Sequence, residues 1–309
     1  MANAEHLALL LWGTSKWNDW RLREPDTNPD LRRADLSNMD LRGINLRSTH
    51  LEGADLSHAI LDNAVLDNAT LSNAILNGAS LIGASGIQAK CTVAKASQIN
   101  LSYANMQQTN WIGADLRGAQ LVSTDLSHAN LVGTNLFRAI LRETDLSRAN
   151  LERANLIQAI AFDVTLIETQ FVRVTMHEAN FSGNHFFRVK FNNASLRSVS
   201  FTGAYVCETD FSNADLQRAD LRWSRLVKVD FSEARMLEAD LRGASLLRSN
   251  LSYADLQDAD LQETCTTRIR LDHALLPDDP HQFRRTSDDR CLMSSVETSK
   301  SAIRKVSLP

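Results

Sequence analysis

Residues 51–70 read LEGADLSHAILDNAVLDNAT, a stretch in which leucine recurs at every fifth position from Leu51 to Leu66. The same phase runs without insertion or deletion from Leu31 to Leu261, and 42 of its 47 positions hold Leu, Phe, Met or Trp. The position two residues earlier is equally restricted, because 42 of its 47 residues are Ala, Thr, Val or Ser. We call the large position i and the small position i−2; the other three positions are mostly polar.

Neither regular secondary structure fits a period of five. A helix repeats every 3.6 residues and would spread this spacing around its circumference, whereas a strand alternates every two residues. The pattern instead predicts a chain that turns a corner every five residues and points positions i and i−2 inward each time. Four such sides close a coil of 20 residues, and stacked coils pair edge to edge. The predicted fold class is therefore an all-β solenoid.

The repeated unit, exemplified by Ala54-Asp55-Leu56-Ser57-His58, resembles that of the pentapeptide-repeat proteins. The resemblance covers residues 29–265 and implies a right-handed quadrilateral β-helix with four repeats per coil, here of about 12 coils. At ~4.8 Å per coil, the rod would be about 60 Å long. Stacking at 20 residues also predicts an inward ladder of phenylalanines at Phe171, Phe191, Phe211 and Phe231.

The limits of the period predict three parts: an N-terminal helical cap over 1–28, the solenoid over 29–265, and a C-terminal cap or partly flexible tail over 266–309. Residues 5–23 predict a helix with Gly13 as its weak point. Trp17 and Trp20 are expected to cover the first coil; the alternative is a recruiting role for this segment, which resembles the head of some bacterial family members. Arg268–Leu276 is expected to form an irregular turn or a short helix.

Five outward positions in consecutive coils, all at i+1, are apolar: Ile167, Phe187, Cys207, Val227 and Leu247. We call them the stripe. His185 and Tyr205 border it at i−1, and the i+2 column beside it reads Arg148, Glu168, Arg188, Glu208, Lys228 and Arg248, mostly alternating in charge as cross-strand pairs should. An outward apolar stripe rimmed by charge is typical of a contact surface. Two alternatives stay open: the side chains shield one another along the ladder, or the register is miscounted.

Residues 86–99 form the weakest stretch of the pattern, because three successive i positions are undersized: Gly86, Cys91 and Ala96. Small residues at i−2 keep the phase through this stretch. We expect a local bulge, a narrowing or a weak point, with a binding notch as the alternative. Cys91 should lie in the lumen and be inert.

The net charge of the chain limits which partners it is expected to bind. The chain has 37 acidic and 33 basic residues, a net charge of −4, which argues against a direct nucleic-acid binder. Some pentapeptide-repeat proteins bind type II topoisomerases by imitating duplex DNA, so the resemblance offers a DNA-mimicking inhibitor or protector of gyrase as the alternative function. Such mimicry needs a dense negative surface, since DNA carries about one charge per 1.7 Å of axis. Residues 31–264 hold 26 acids and 22 bases. Their net charge of −4 over about 60 Å is far below the charge density of DNA.

The sequence contains no nucleophile, phosphate-binding or metal-binding motif, and a convex rod with a filled lumen offers no concavity for catalysis. We therefore expect no enzyme, no cofactor, no metal and no small-molecule substrate. The four cysteines have neither metal nor redox spacing, and the chain is too large to need disulfides, so a reducing compartment is expected. With no membrane span or signal peptide in the pattern, the predicted location is the cytoplasm. The predicted function is a protein-interaction scaffold for an unidentified protein, with self-association into a homodimer as one form.

Overall fold

The computed structural model describes residues 2–278 and the backbone of residues 283–285. Two α-helices come first, α1 (Ala4–Leu11) and α2 (Thr14–Arg23), where one helix over residues 5–23 was expected. The chain breaks at Gly13, whose φ of 103° lies far outside the helical range and is open to glycine alone without strain. The predicted weak point is thus a complete break between two helices.

Most pentapeptides form a tight turn. The backbone amide of position i+3 donates to the carbonyl of position i, as Ala34 does to Leu31 over 3.1 Å. Position i+2 has a left-handed φ near 57°, as at Asn63, which matches the third position of a type II turn and its preference for glycine and asparagine. The amide of position i donates to the following coil, from Leu31 to the carbonyl of His50 over 2.8 Å.

Residues 20 apart in the chain pair in parallel, in four columns that start at Asp30, Asp35, Asp40 and Asn45. The first column runs unbroken from Asp30 to Arg270 in steps of 20 residues. Four columns per coil give the solenoid four faces, so the predicted β-solenoid is confirmed. The right hand of the coil stays a prediction from the family resemblance.

On two neighbouring faces the single bridges widen into short strands. One face carries β1 (Ile140–Arg142) and β2 (Ile160–Phe162), which pair with each other. The next face carries a seven-stranded parallel sheet that covers about six turns. Its strands, in spatial and chain order, are β3 (Thr165–Ile167), β4 (His185–Phe187), β5 (Tyr205–Cys207), β6 (Arg225–Val227), β7 (Ser245–Leu247), β8 (Thr264–Thr267) and β9 (Phe283–Arg285).

The lumen is filled by positions i and i−2, which are buried along the ladder except near its ends, where Met39, Ile269 and Leu271 are partly buried. The expected phenylalanine ladder is present: Phe171, Phe191, Phe211 and Phe231 stack with neighbouring ring centroids 4.9, 4.8 and 5.2 Å apart. A buried Trp111 keeps its indole N–H satisfied by donating to the hydroxyl of Thr109 over 3.0 Å. Interiors packed in this way leave no lumenal space for a ligand.

The weak stretch at 86–99 keeps its register. Lys90 pairs with Asn110 and Lys95 with Asp115, in the same 20-residue step as elsewhere. The space above Gly86 is taken by Met106, because a β-carbon built on this glycine would meet the methionine sulfur at 2.7 Å. A bulge is therefore excluded, and a larger side chain from the following coil compensates for the undersized position.

The two helices close the open edge of the first coil. The indole N–H of Trp17 donates to the carbonyl of Asn45 over 2.7 Å, and the amide of Asn45 donates to the side chain of Asn18 over 2.8 Å. The guanidinium of Arg21 donates to the carbonyl of Arg47 over 2.9 Å. Trp17 is fully buried. Backbone groups that would otherwise template another strand are thus occupied by the cap.

At the other end the repeat continues past the predicted boundary at 265. Ala274 closes a pentapeptide turn on Leu271 over 3.1 Å, and Leu275 bridges to Asp255, so residues 268–276 form neither an irregular turn nor a helix. The phase holds because Leu271 again occupies position i. β9 then pairs with β8 through Thr264 and is the outermost strand of the sheet among the described residues. The rest of the predicted tail lies outside the described residues.

Candidate protein-binding surface

The face that carries β3–β9, here named the strand face, places the predicted stripe in one column. Ile167 pairs with Phe187, Phe187 with Cys207, Cys207 with Val227, and Val227 with Leu247. The register therefore agrees with the prediction, and the alternative of a miscounted register is excluded. Phe187 is exposed over 38% of its surface, whereas the other four side chains are half-buried.

The strands arise where the pentapeptide turn opens. In most pentapeptides the amide of i+3 returns to the carbonyl of i, but at Ala161, in β2 on the adjoining face, the amide of Val164 donates to the side-chain oxygen of Asn184 over 2.8 Å instead. The amide group of Asn184 in turn donates to the carbonyl of Ala161 over 2.9 Å. A buried asparagine from the next coil thus replaces the hydrogen bond that a closed turn would make. Freed from the turn, the i+1 residue extends and joins the parallel ladder.

One flank of the stripe is a continuous ladder of ion pairs. Arg148 contacts Glu168 at 3.0 Å, Glu168 contacts Arg188 at 3.7 Å, Arg188 contacts Glu208 at 3.0 Å, and Glu208 contacts Lys228 at 2.8 Å. Hydrogen bonds from Lys228 and Arg188 lower the pKa of Glu208 from its usual value, and the same pairing raises the pKa of Arg188. The alternation of charge predicted for this column is present.

The cationic end of this ladder lies toward the C-terminus. After Glu208 the column continues Lys228, Arg248 and Arg268, three exposed cations in consecutive coils. Arg188, nearer the middle, also lies over the ring of Phe187 with its guanidinium 4.7 Å from the ring centroid. The flank is therefore balanced beside the first half of the stripe and positive beside the second.

The other flank is aromatic and partly cationic. Tyr205 lies between His185, whose ring centroid is 5.9 Å away, and Arg225, whose guanidinium is 5.4 Å from the tyrosine ring. Burial, followed by the neighbouring Cys207, raises the pKa of Tyr205. Tyr205 thus presents an aromatic ring next to the middle of the stripe.

A second apolar group on the adjoining face was missed by the sequence analysis. Ile160 and Phe162 on β2 are 52% and 57% exposed, more than any residue of the stripe, and Ile140 pairs with Ile160 on β1. We call this the isoleucine face. The sequence feature that indicates it is in the i−1 column. This column usually holds Asp or Asn, but two successive coils carry isoleucine there. Only Asp163 and Val164 separate Phe162 from the first strand of the strand face along the chain.

No metal centre emerges from the described part of the chain, in which no three His, Cys, Asp or Glu side chains converge closely enough. Burial raises the pKa of the Cys91 thiol, which lies in the lumen. Cys207 is a free thiol, but Cys265 is disulfide-bonded, contrary to the expectation that the chain needs no disulfide. Among the described residues, no helix has the length and hydropathy to cross a membrane.

A chain that turns every five residues, stacks the turns and carries its polar and apolar chemistry in outward columns is a β-solenoid repeat protein. Its family follows from the repeat itself. The chain belongs to the pentapeptide repeat family, whose model matches eight copies from residues 30–68 to residues 224–263.

Solved structures of the same family are similar to this chain. HetL, a pentapeptide repeat protein involved in heterocyst differentiation regulation from the cyanobacterium Nostoc, is 29% identical, with 84% of this chain and 92% of that chain covered and a TM-score of 0.21. Full-length QnrB1, a plasmid-mediated fluoroquinolone resistance protein, is 17% identical, with 74% and 97% covered and a TM-score of 0.26. No curated protein sequence matches significantly. The family assignment therefore rests on the repeat model.

Proposed function

We propose that this protein is a non-catalytic interaction scaffold whose strand face binds another protein. The observation that supports this most directly is the stripe itself: five outward apolar side chains in register over consecutive coils, rimmed by an ion-pair ladder on one flank and by Tyr205 on the other. Elsewhere, position i+1 is mostly polar, so the stripe is a departure from the surface that solubility favours.

The capped N-terminal edge favours the face as the binding element. That edge is occupied by hydrogen bonds from α2, and β9 is the outermost strand of the sheet among the described residues. Strand addition at an open edge, a common mode of recognition by sheets, therefore has little to engage at the N-terminal end. A partner would bind through the side chains of a face, with the solenoid supplying rigidity.

Mutual shielding of the stripe is the competing explanation, since four of its five residues are half-buried by their neighbours. It accounts for the tolerance of single apolar side chains but not for five of them in consecutive coils of one column beside a charged rim. Homodimer formation through the stripe is one form of the proposed function. The cytoplasm remains the proposed compartment, although the disulfide at Cys265 weakens the argument from reduced cysteines.

DNA mimicry is disfavoured by how the acids are paired. Asp220, Asp240 and Asp260 alternate with Arg222 and Arg242 in a ladder whose successive contacts measure 2.5–3.5 Å. Carboxylates neutralised in this way do not reproduce the uncompensated charge of a phosphate backbone. A gyrase supercoiling assay separates the two functions, because inhibition at micromolar protein would support mimicry.

The test is a double variant, Phe187→Asp with Val227→Asp, compared with a matched control, Ile112→Asp with Val132→Asp. The control residues are also half-buried i+1 side chains in neighbouring coils, but on another face. Affinity capture from the native cell extract, followed by quantitative mass spectrometry, should lose specific proteins with the stripe variant and retain them with the control. Size exclusion with light scattering reports dimer formation. Equal capture by both variants, each folded by circular dichroism, would refute the proposal.

A further inference from the structure

We propose that the stripe accepts an acidic amphipathic helix of a partner protein, laid along the solenoid axis. This inference rests on the proposed function and names the class of partner. It follows from the width of the stripe, its spacing and the charge of its rim.

The width of the stripe limits what can cover it. The apolar column is one residue wide, and its four steps from Ile167 to Leu247 span about 19 Å at the strand spacing. Such a strip provides far less than the roughly 800 Å² per partner of a standard globular interface. A flat face of a second copy would therefore leave most of its contact on the charged rim. A single helix, whose apolar seam is also narrow, matches the strip.

The spacing of the stripe matches a helix better than an extended peptide. One helical turn advances 5.4 Å, and one coil advances about 4.8 Å, so apolar residues one turn apart drift by only about 2 Å over four coils. Residues on one side of an extended strand recur at about 6.6 Å and drift about three times as far. A helix of about 13–16 residues spans the stripe from end to end.

The charge of the rim selects an acidic helix. Glu168 and Glu208 are each engaged by cations of their own ladder, Lys228 among them, whereas Arg248 and Arg268 follow Lys228 with no further acid in the column. Acidic side chains beside the seam of a partner helix would complete the alternation that this flank lacks. Complementary charge of this kind sets specificity and the rate of association.

The probe for this inference is a yeast-displayed library of 16-residue peptides, selected on the full-length protein. Counter-selection uses the Phe187→Asp, Val227→Asp variant. We expect enriched peptides to carry a net negative charge and apolar residues about one helical turn apart, at peptide positions n, n+3 or n+4, n+7 and n+11. A synthetic enriched peptide should gain helicity on binding. It should bind about tenfold more weakly to an Arg248→Glu, Arg268→Glu variant, but unchanged to the Ile112→Asp, Val132→Asp control.

Several outcomes overturn the inference. Enriched peptides that are rich in proline, basic or without helical periodicity would do so, as would no enrichment above counter-selection. Binding that is indifferent to the two arginine substitutions would refute the charge argument. If the library fails while extract proteins are still lost only with the stripe variant, the partner class is wrong and the proposed function stands. If capture is the same with both variants, the proposed function itself fails.

Discussion

Replacing Asn184 by alanine should destabilise the coil that joins the two apolar faces. Its side chain accepts from the amide of Val164 over 2.8 Å and donates to the carbonyl of Ala161 over 2.9 Å. The side chain is buried at 1% exposure, so water cannot readily take its place. Alanine fits the usual i−2 residue in size but leaves both backbone groups without these hydrogen bonds.

The expected loss follows from two unsatisfied buried groups. Each costs about 1–3 kcal/mol while the chain stays extended, so Asn184→Ala should lower the free energy of unfolding by up to about 2–6 kcal/mol, and by less where the Val164 amide closes the turn onto Ala161. The control is Thr169→Val, because the Thr169 hydroxyl also donates to a carbonyl of the preceding coil, that of Leu146, over 2.8 Å. That carbonyl keeps the amide of Ala149 at 3.0 Å, so only about 1 kcal/mol should be lost.

Urea unfolding followed by circular dichroism measures the difference between these variants. Hydrogen exchange with mass spectrometry locates it, because repeat proteins open locally, coil by coil. Peptides covering residues 160–167 should exchange faster in Asn184→Ala, while peptides covering residues 100–110 should not change. Equal unfolding midpoints for the two variants, with the Val164 amide still protected, would refute the role assigned to the asparagine.

Three further predictions concern the cap, a corner and the ladder. Trp17→Ala should cost about 3–5 kcal/mol at the N-terminal end and split off an early calorimetric transition; a single unchanged transition would contradict the capping role. Gly243→Ala should destabilise more than Gly203→Ala, measured by urea midpoints, because both have a φ of 66° but only the first places a β-carbon 2.2 Å from the Trp223 ring. A Trp223→Ala background should remove that difference. The lowered pKa of Glu208 contributes stability above its usual value of 4.5 that is lost as pH falls, so Glu208→Gln should flatten the pH dependence of the melting temperature below pH 5.

The ladder could be predicted from sequence because the narrow lumen accepts only one large and one small side chain from each repeat. Each inward pair must fill the same narrow space, so the period survives even at Gly86 and Cys91. The position of the stripe followed from the same arithmetic, since a strict 20-residue step fixes which outward residues share a column. Opposite charges at that step then had to meet, as Arg188 and Glu208 do.

Features that depend on backbone hydrogen bonding could not be predicted in this way. Whether a turn closes depends on which partner the i+3 amide finds, and Asn184 diverts that of Val164 from a residue 20 positions away. The break at Gly13 likewise reflects docking of two helices on one coil. The exposed Ile160 was missed for another reason: the i−1 column was considered only where it borders the stripe, at His185 and Tyr205.

The unbroken spacing of Leu31 to Leu261 gives the pentapeptide a geometric meaning beyond packing. Inserting one repeat before Thr165 would leave every inward side chain inward, yet would carry the stripe a quarter turn around the axis relative to the N-terminal helices. Inserting four repeats would restore its direction one coil farther along. Within this architecture, insertions of five residues change the orientation of a surface, and insertions of twenty residues change its distance along the rod. The two can thus be changed separately without disturbing the interior.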